Sequence, residues 1–345
     1  MIQIDGAAGE GGGQVLRTAL ALSLLTGQPF EIHNIRGRRQ RPGLMAQHLK
    51  CVEAAMLVGH AQAKGDKIGS MHLLFQPGAV TAGEFHIDIG TAGATSLVLQ
   101  TVYLPLAQQP QPSMLTITGG THVEWSPTFH FLSLHWAKFM ADLGLPIRLH
   151  LERAGFYPQG DGVMRAEIRP AGKLQSLHLI QRGRLKGISG ISAVANLDLT
   201  IAERQRAQAL KRLERSGLDA LIAIEKMPSR FKGTMLLLLA EFEHSQACFT
   251  ALGAIGKRAE KVADEAVDEL LTFLQSTACV DRFLADQLML PLSLIPGVAT
   301  YSTSIVTNHQ LTNAEVVKQF LNVDIQIEGE IGAPGLVKIV GKALN

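Results

Sequence analysis

The chain has 345 residues, 46% of them hydrophobic and 18% charged, with a formal net charge of +2. That length suits two domains, or one large domain with an insertion, and the near-neutral charge excludes a blanket polycation, so any nucleotide or nucleic-acid contact must come from a local patch. Three isolated cysteines, Cys51, Cys248 and Cys279, exclude a disulfide framework and a Cys-x-x-Cys zinc site, and the strongest apolar run, 235–240, is too short to span a bilayer.

The start has no basic segment leading into a long apolar one, so a cytoplasmic protein with no membrane partner is expected. The run Gly9-Glu10-Gly11-Gly12-Gly13-Gln14 then leads through Arg17 into an apolar helix predicted over about 12–25. Glycines ahead of a helix let backbone N–H groups approach an anion closely, and the helix dipole favours negative charge there. Arg36, Arg38, Arg39 and Arg41 follow, and guanidinium forks match phosphate oxygens. A flexible turn and a solvated rim would explain either feature alone; together they read as a site for several phosphates.

Helix-like segments recur in a threefold pattern. Further first helices are predicted from Gly90-Thr91-Ala92-Gly93 through Leu106 and from Asp281 to Leu294. Second helices are predicted at 42–58, 126–143 and 312–321, each followed by two strand-like runs. The fold class expected is therefore α/β (α+β), three βαβαββ repeats forming a large domain over 1–181 and 277–345. Residues 182–276 read as a small inserted α/β domain placed between the second and third repeats. Its helix 201–216 is rich in Arg and Lys with Glu203 and Glu214 interleaved, which reads as a solvated face.

The segment 251–258 lacks the first glycine and the final Ser/Thr of a P-loop, and no Lys-x-Asp-Gly occurs. The candidate nucleophile is His309, in a Thr307-Asn308-His309 loop ahead of the third unit's second helix. A neutral imidazole is a competent nucleophile near pH 7, although a single histidine among twelve is more often structural and position alone would not select this one.

The chain resembles the RNA 3'-terminal phosphate cyclases over nearly its whole length. The resemblance rests on 9–17, on Arg36-x-x-Arg39-x-x-Pro42-Gly43-Leu44 with Gln47-His48, on Leu97-Val98-Leu99-Gln100, on Gly155-Phe156-Tyr157-Pro158, on 284–288 and on the His309 loop. It implies a ligase that uses ATP to convert an RNA 3'-terminal phosphate into a 2',3'-cyclic phosphate through a covalent His309–AMP. By the same resemblance Arg17, Arg36 and Arg39, with Gln47, would bind phosphates or the RNA end. Phe283 and Pro127 would sandwich the adenine, while Gln100, Leu284, Ala285, Asp286 and Gln287 would line the nucleotide pocket. Glu10 is the best carboxylate to hold Mg²⁺ or Mn²⁺, or else caps the following helix. Core packing would account equally for the apolar members.

One position departs from the family pattern. Asp161 stands where a glycine is usual, so an acid is expected near phosphates. Two other classes compete: a non-catalytic RNA-binding relative in ribosome assembly, which lacks the nucleophilic histidine, and an enolpyruvyl transferase, which predicts no covalent nucleotide. Oligomeric state is not legible in the sequence.

Overall fold

The computed structural model describes residues 1–343. The first unit runs β1 (Ile2–Asp5), α1 (Gly13–Thr26), β2 (Phe30–His33), α2 (Ala46–Gly59), β3 (Gln62–Lys64) and β4 (Leu73–Gln76). The second runs β5 (Glu84–Asp88), α3 (Thr95–Ala107) and β6 (Ser113–Gly119). It continues through a helix of three pieces, α4 (Phe129–Phe131), a π-helical turn (Leu132–Trp136) and α5 (Ala137–Asp142), then β7 (Ile147–Arg153) and β8 (Gly162–Ile168). A two-residue strand, β9 (His178–Leu179), comes next.

A separate group follows: β10 (Leu185–Ala195), α6 (Leu199–Arg215), β11 (Ala220–Lys226), β12 (Gly233–Phe242), β13 (Gln246–Leu252) and α7 (Ala259–Gln275). The chain ends with α8 (Arg282–Gln287), α9 (Met289–Ser293), β14 (Gly297–Thr303), α10 (Asn308–Phe320), β15 (Asp324–Glu328) and β16 (Gly335–Gly341).

Strand pairing identifies the repeats. The sheets β1-β2-β4-β3, β5-β6-β8-β7 and β9-β14-β16-β15 share one order, one parallel pair followed by two antiparallel ones. Because β9 pairs with β14, the third unit opens before the 185–275 segment and closes after it. The segment therefore interrupts the third unit after its first strand, and does not fall between units as the spacing suggested. Its own sheet, β11-β10-β12-β13, is backed by α6 and α7 over a separate apolar cluster including Leu213, Leu238, Val267 and Phe273.

The main core lies where the helices of the three units meet. From Val15 to Leu24 every residue of α1 except Arg17 is buried, as befits a helix apolar all round, and it packs against α2, α3 and α10. Gly27 ends it in the left-handed region (φ 68°), returning its N–H to Ser23.

Several helix starts differ from the sequence expectation, two because another side chain caps the end and one because of the backbone ahead of it. The second unit's helix begins after Thr128, whose hydroxyl accepts from Phe131 N–H, and not at Ser126-Pro127. α10 begins at Asn308 because Thr307 and Gln310 form a capping box, four residues before the expected Thr312. α2 begins at Ala46, since Gly43 (φ 80°) breaks the expected start at Pro42. On α6 the basic residues do not face water alone: Arg204 pairs with Glu260 at 2.8 Å and Arg212 with Asp268 at 2.7 Å, both on α7.

Candidate active site

The glycine run before α1 is shaped by what surrounds it. Gly9 and Gly11 have left-handed backbones (φ 56° and 60°), and a Cβ on Gly13 would land on the His48 imidazole and 2.9 Å from the Arg17 guanidinium. Glu10 N–H donates to the Thr312 hydroxyl at 3.1 Å, which donates in turn to the Asn308 carbonyl at 2.7 Å. The turn of the first unit is thus fastened to α10 of the third.

His309 therefore lies in the first turn of α10, and not in a loop ahead of it. Its Nε2 is 2.6 Å from Glu10 Oε2, and its Nδ1 donates to Gln14 Oε1. Gln14 is held by Asp286, whose two carboxylate oxygens accept from Gln14 Nε2 at 2.6 and 2.7 Å. That orientation turns the Gln14 carbonyl oxygen toward His309, so Nδ1 carries the proton of this hydrogen bond while Nε2 faces the Glu10 carboxylate. Asp286 also accepts from Asn313 Nδ2 at 3.0 Å, and burial raises its carboxyl above the usual range against the pull of His309. The His309 side chain is 44% exposed, so the ring is anchored from behind and open in front.

Arg39 reaches the same carboxylate from the other side, 2.5 Å from Glu10 Oε1. Arg17 is partly buried beside Gly13, and burial works against its charge. Arg36 instead shapes its own loop, donating to the carbonyls of Arg41 (2.7 Å) and Gly43 (3.1 Å). Gln47 ties units together: its Oε1 accepts from Ala94 N–H at 2.9 Å. His48 is buried, its Nδ1 accepts from Met45 N–H at 3.2 Å, and burial with Arg17 and Arg36 nearby pushes its pKa down to about 3. It is a neutral Nε2–H donor beside Gly13. Its sequence neighbourhood was familiar, but no residue pattern gave it or Gln14 a role.

The residues expected on the adenine side lie on α3, on α8 and in the loop before α4. Phe283 is 45% exposed, and Arg282 lies over its ring at 4.7 Å. Gln100 Nε2 donates to Gln287 Oε1 at 2.6 Å, while Pro127 is half-buried. Leu284 and Ala285 are fully buried, so their side chains pack the core and leave only backbone to any pocket. Asp281 caps α8 through Phe283 and Leu284 N–H and accepts from fully buried His135 Nε2 at 2.7 Å, joining the helix after Pro127 to the one bearing Phe283.

The family profile described as RNA 3'-terminal phosphate cyclase matches residues 8–327. A protein of Gloeothece citriformis with that name is 39% identical, covering 96% of this chain and 97% of its own. Namesakes from Archaeoglobus fulgidus (41%; 95% and 98%) and Ectopseudomonas mendocina (43%; 94% and 94%) are similarly matched. The chain belongs to the RNA 3'-terminal phosphate cyclase family.

Within this cyclase-family chain, Asp161 is not the free acid the sequence suggested. It takes a left-handed backbone (φ 55°), and Arg153 donates to its carbonyl at 2.7 Å and to its Oδ1 at 2.9 Å. Arg230, from the loop between β11 and β12, stands 3.5 Å from its Oδ2. The departure from the usual glycine is thus matched by two cations, one of them from the interrupting segment.

Proposed function

We propose that the protein converts the 3'-terminal phosphate of an RNA into a 2',3'-cyclic phosphate at the expense of ATP, with His309 as the adenylyl carrier. The observation that carries this is the half-exposed His309 imidazole, oriented by Gln14 through Nδ1 and set with Nε2 against Glu10, beside the glycine turn of α1 and Arg39. Family membership supports the overall reaction.

In this reading Nε2 attacks the α-phosphorus of ATP, the bond to the β-phosphate oxygen breaks, and pyrophosphate leaves. An oxygen of the RNA 3'-phosphate then attacks the adenylyl phosphorus, the P–N bond breaks, and an anhydride forms. The adjacent 2'-hydroxyl finally displaces AMP from the RNA phosphorus, closing the ring as its proton departs. That nucleophile is already within intramolecular range, which supplies much of the last step.

Arg17 and Arg39, with the α1 amides, are the groups to hold phosphate oxygens, and His48 adds a neutral donor. Arg36 acts through the loop it braces. Phe283 supplies the open ring for adenine. Glu10 fits a hard cation such as Mg²⁺ or Mn²⁺: its Oε2 is buried and accepts no aligned hydrogen bond, and a single carboxylate completed by phosphate oxygens is a usual Mg²⁺ arrangement. Such an ion, when bound, neutralises charge on the polyphosphate.

The test is incubation with α-labelled ATP and Mg²⁺, followed by mapping of the adduct. Acid-labile AMP on wild-type protein, absent from His309→Ala, is expected. Equal labelling of the two, or an adduct on another residue, would overturn the assignment. Complete absence of labelling with RNA binding retained would favour the non-catalytic reading.

A further inference from the structure

Away from that site, three side chains on the outer face of the first sheet converge on one point. Strand alternation turns Glu31 and His33 outward from β2 while Phe30 and Ile32 are buried. β2 and β4 are antiparallel with Ile32 opposite Leu73, so one step further His72 comes opposite His33. His72 Nε2 is 2.6 Å and His33 Nε2 3.7 Å from the same carboxylate oxygen, Glu31 Oε1, and the two rings lie 4.6 Å apart.

The carboxylate is itself held from the third strand. Gln3, opposite Glu31 across the β1–β2 pair, donates to Glu31 Oε2 at 2.9 Å. This leaves Oε1 for the imidazoles, the kind of outer contact that orients metal ligands. Among the described residues this is the one group of three His, Cys, Asp or Glu side chains whose ligand atoms all lie within 4.8 Å of one another.

We propose that Glu31, His33 and His72 form a surface site for a divalent transition metal of the Zn²⁺ class. Two imidazoles and one carboxylate suit Zn²⁺, Co²⁺, Ni²⁺ or Cu²⁺ and do not suit Mg²⁺, which prefers oxygen. Bonds of about 2.0–2.2 Å to all three require only modest shifts: His72 must draw back from its 2.6 Å contact with Glu31 while His33 closes up from 3.7 Å. The histidine side chains, 50% and 45% exposed, have room to do so. A water would complete a tetrahedron on the open side.

The site has consequences for its surroundings. Gly6 N–H donates to the His33 carbonyl at 2.7 Å, and Ile35 N–H donates to the Met71 carbonyl at 3.0 Å. A metal would clamp the ends of β2 and β4 from which the arginine loop, 36–41, departs.

The inference is independent of the proposed reaction and is tested without nucleotide. The full chain, freed of metal with EDTA, is titrated with Zn²⁺ by calorimetry, and Co²⁺ uptake is followed by its visible absorption. One equivalent is expected, with His33→Gln and His72→Gln each weakening binding at least ~10-fold and Glu10→Gln leaving it unchanged. Gln3→Ala should weaken it less. No uptake by wild type, or equal affinity in His33→Gln and wild type, would overturn the proposal. Should His72→Gln fail to fold, the half-exposed His33 variant still decides.

Discussion

Gln47 and His309 hold the same place in two copies of one unit. Each is the second residue of its unit's second helix, α2 starting at Ala46 and α10 at Asn308. Each reaches the turn ahead of another unit's first helix. Gln47 accepts from Ala94 N–H, and His309 lies between Glu10 and Gln14. The counterpart in the second unit, His130, bonds His122 at 2.8 Å and stands 3.8 Å from Glu225 of the interrupting segment. The frame supplies one position three times; the side chain there, and the charges it meets, differ in each unit. The turn at 90–94 carries no charged residue, whereas that at 9–13 carries Glu10 with Arg39 upon it.

The largest effect is expected for His309→Gln, which makes the third unit resemble the first. RNA cyclisation should fall by ~10³-fold or more with melting temperature nearly unchanged, and adding Gln47→His should restore nothing. Next in size, Asp286→Asn presents an amide where Gln14 donates to both oxygens. Misorientation of Gln14, and hence of His309, should slow single-turnover adenylylation by ~10²-fold.

His48→Gln copies into α2 the glutamine that caps α10. Unfolded His48 takes up its proton near pH 6.5 but the folded residue only near 3, so wild-type stability is full above pH 6.5 and is lost as pH falls toward 3. Between pH 6.5 and 5 the loss is about 2 kcal/mol, and urea unfolding should show it reduced in the variant. The smallest effect is expected for Asp161→Gly. Relief of a left-handed backbone opposes loss of the Arg153 and Arg230 pairs, so unfolding free energy should move by less than about 1 kcal/mol.

Much of the fold was legible because the apolar runs of α1 and α3 and the closing strands are locally marked. Helix starts were less so: Thr307-x-x-Gln310 carries the spacing of a capping box, but Thr312 offers a rival start, as the neighbouring Ser126-Pro127 does for Thr128. The interruption of the third unit was hidden by the brevity of β9, two residues whose identity as a strand depends wholly on β14. At the site, charge and glycine content exposed the region around Glu10, Arg17 and Arg39. The relay from Asp286 through Gln14 to His309 could not be read, because it joins residues 14, 286 and 309 through tertiary contact alone. Arg36 and Gln47 carry ligand-binding side chains yet spend hydrogen bonds on the scaffold, which residue type does not reveal.

The late closure of the third sheet bears on how the chain is made. On the ribosome Leu179 emerges long before its neighbour Tyr301, and everything from Leu185 to Gln275 must be synthesised in the interval. The interrupting segment has its own apolar cluster, while α1, packed on α2 and α3, lacks its α10 neighbour until the chain is nearly complete. The His309 pocket therefore cannot close until nearly the whole chain is made, and a product truncated before α10 would carry the glycine turn without its imidazole.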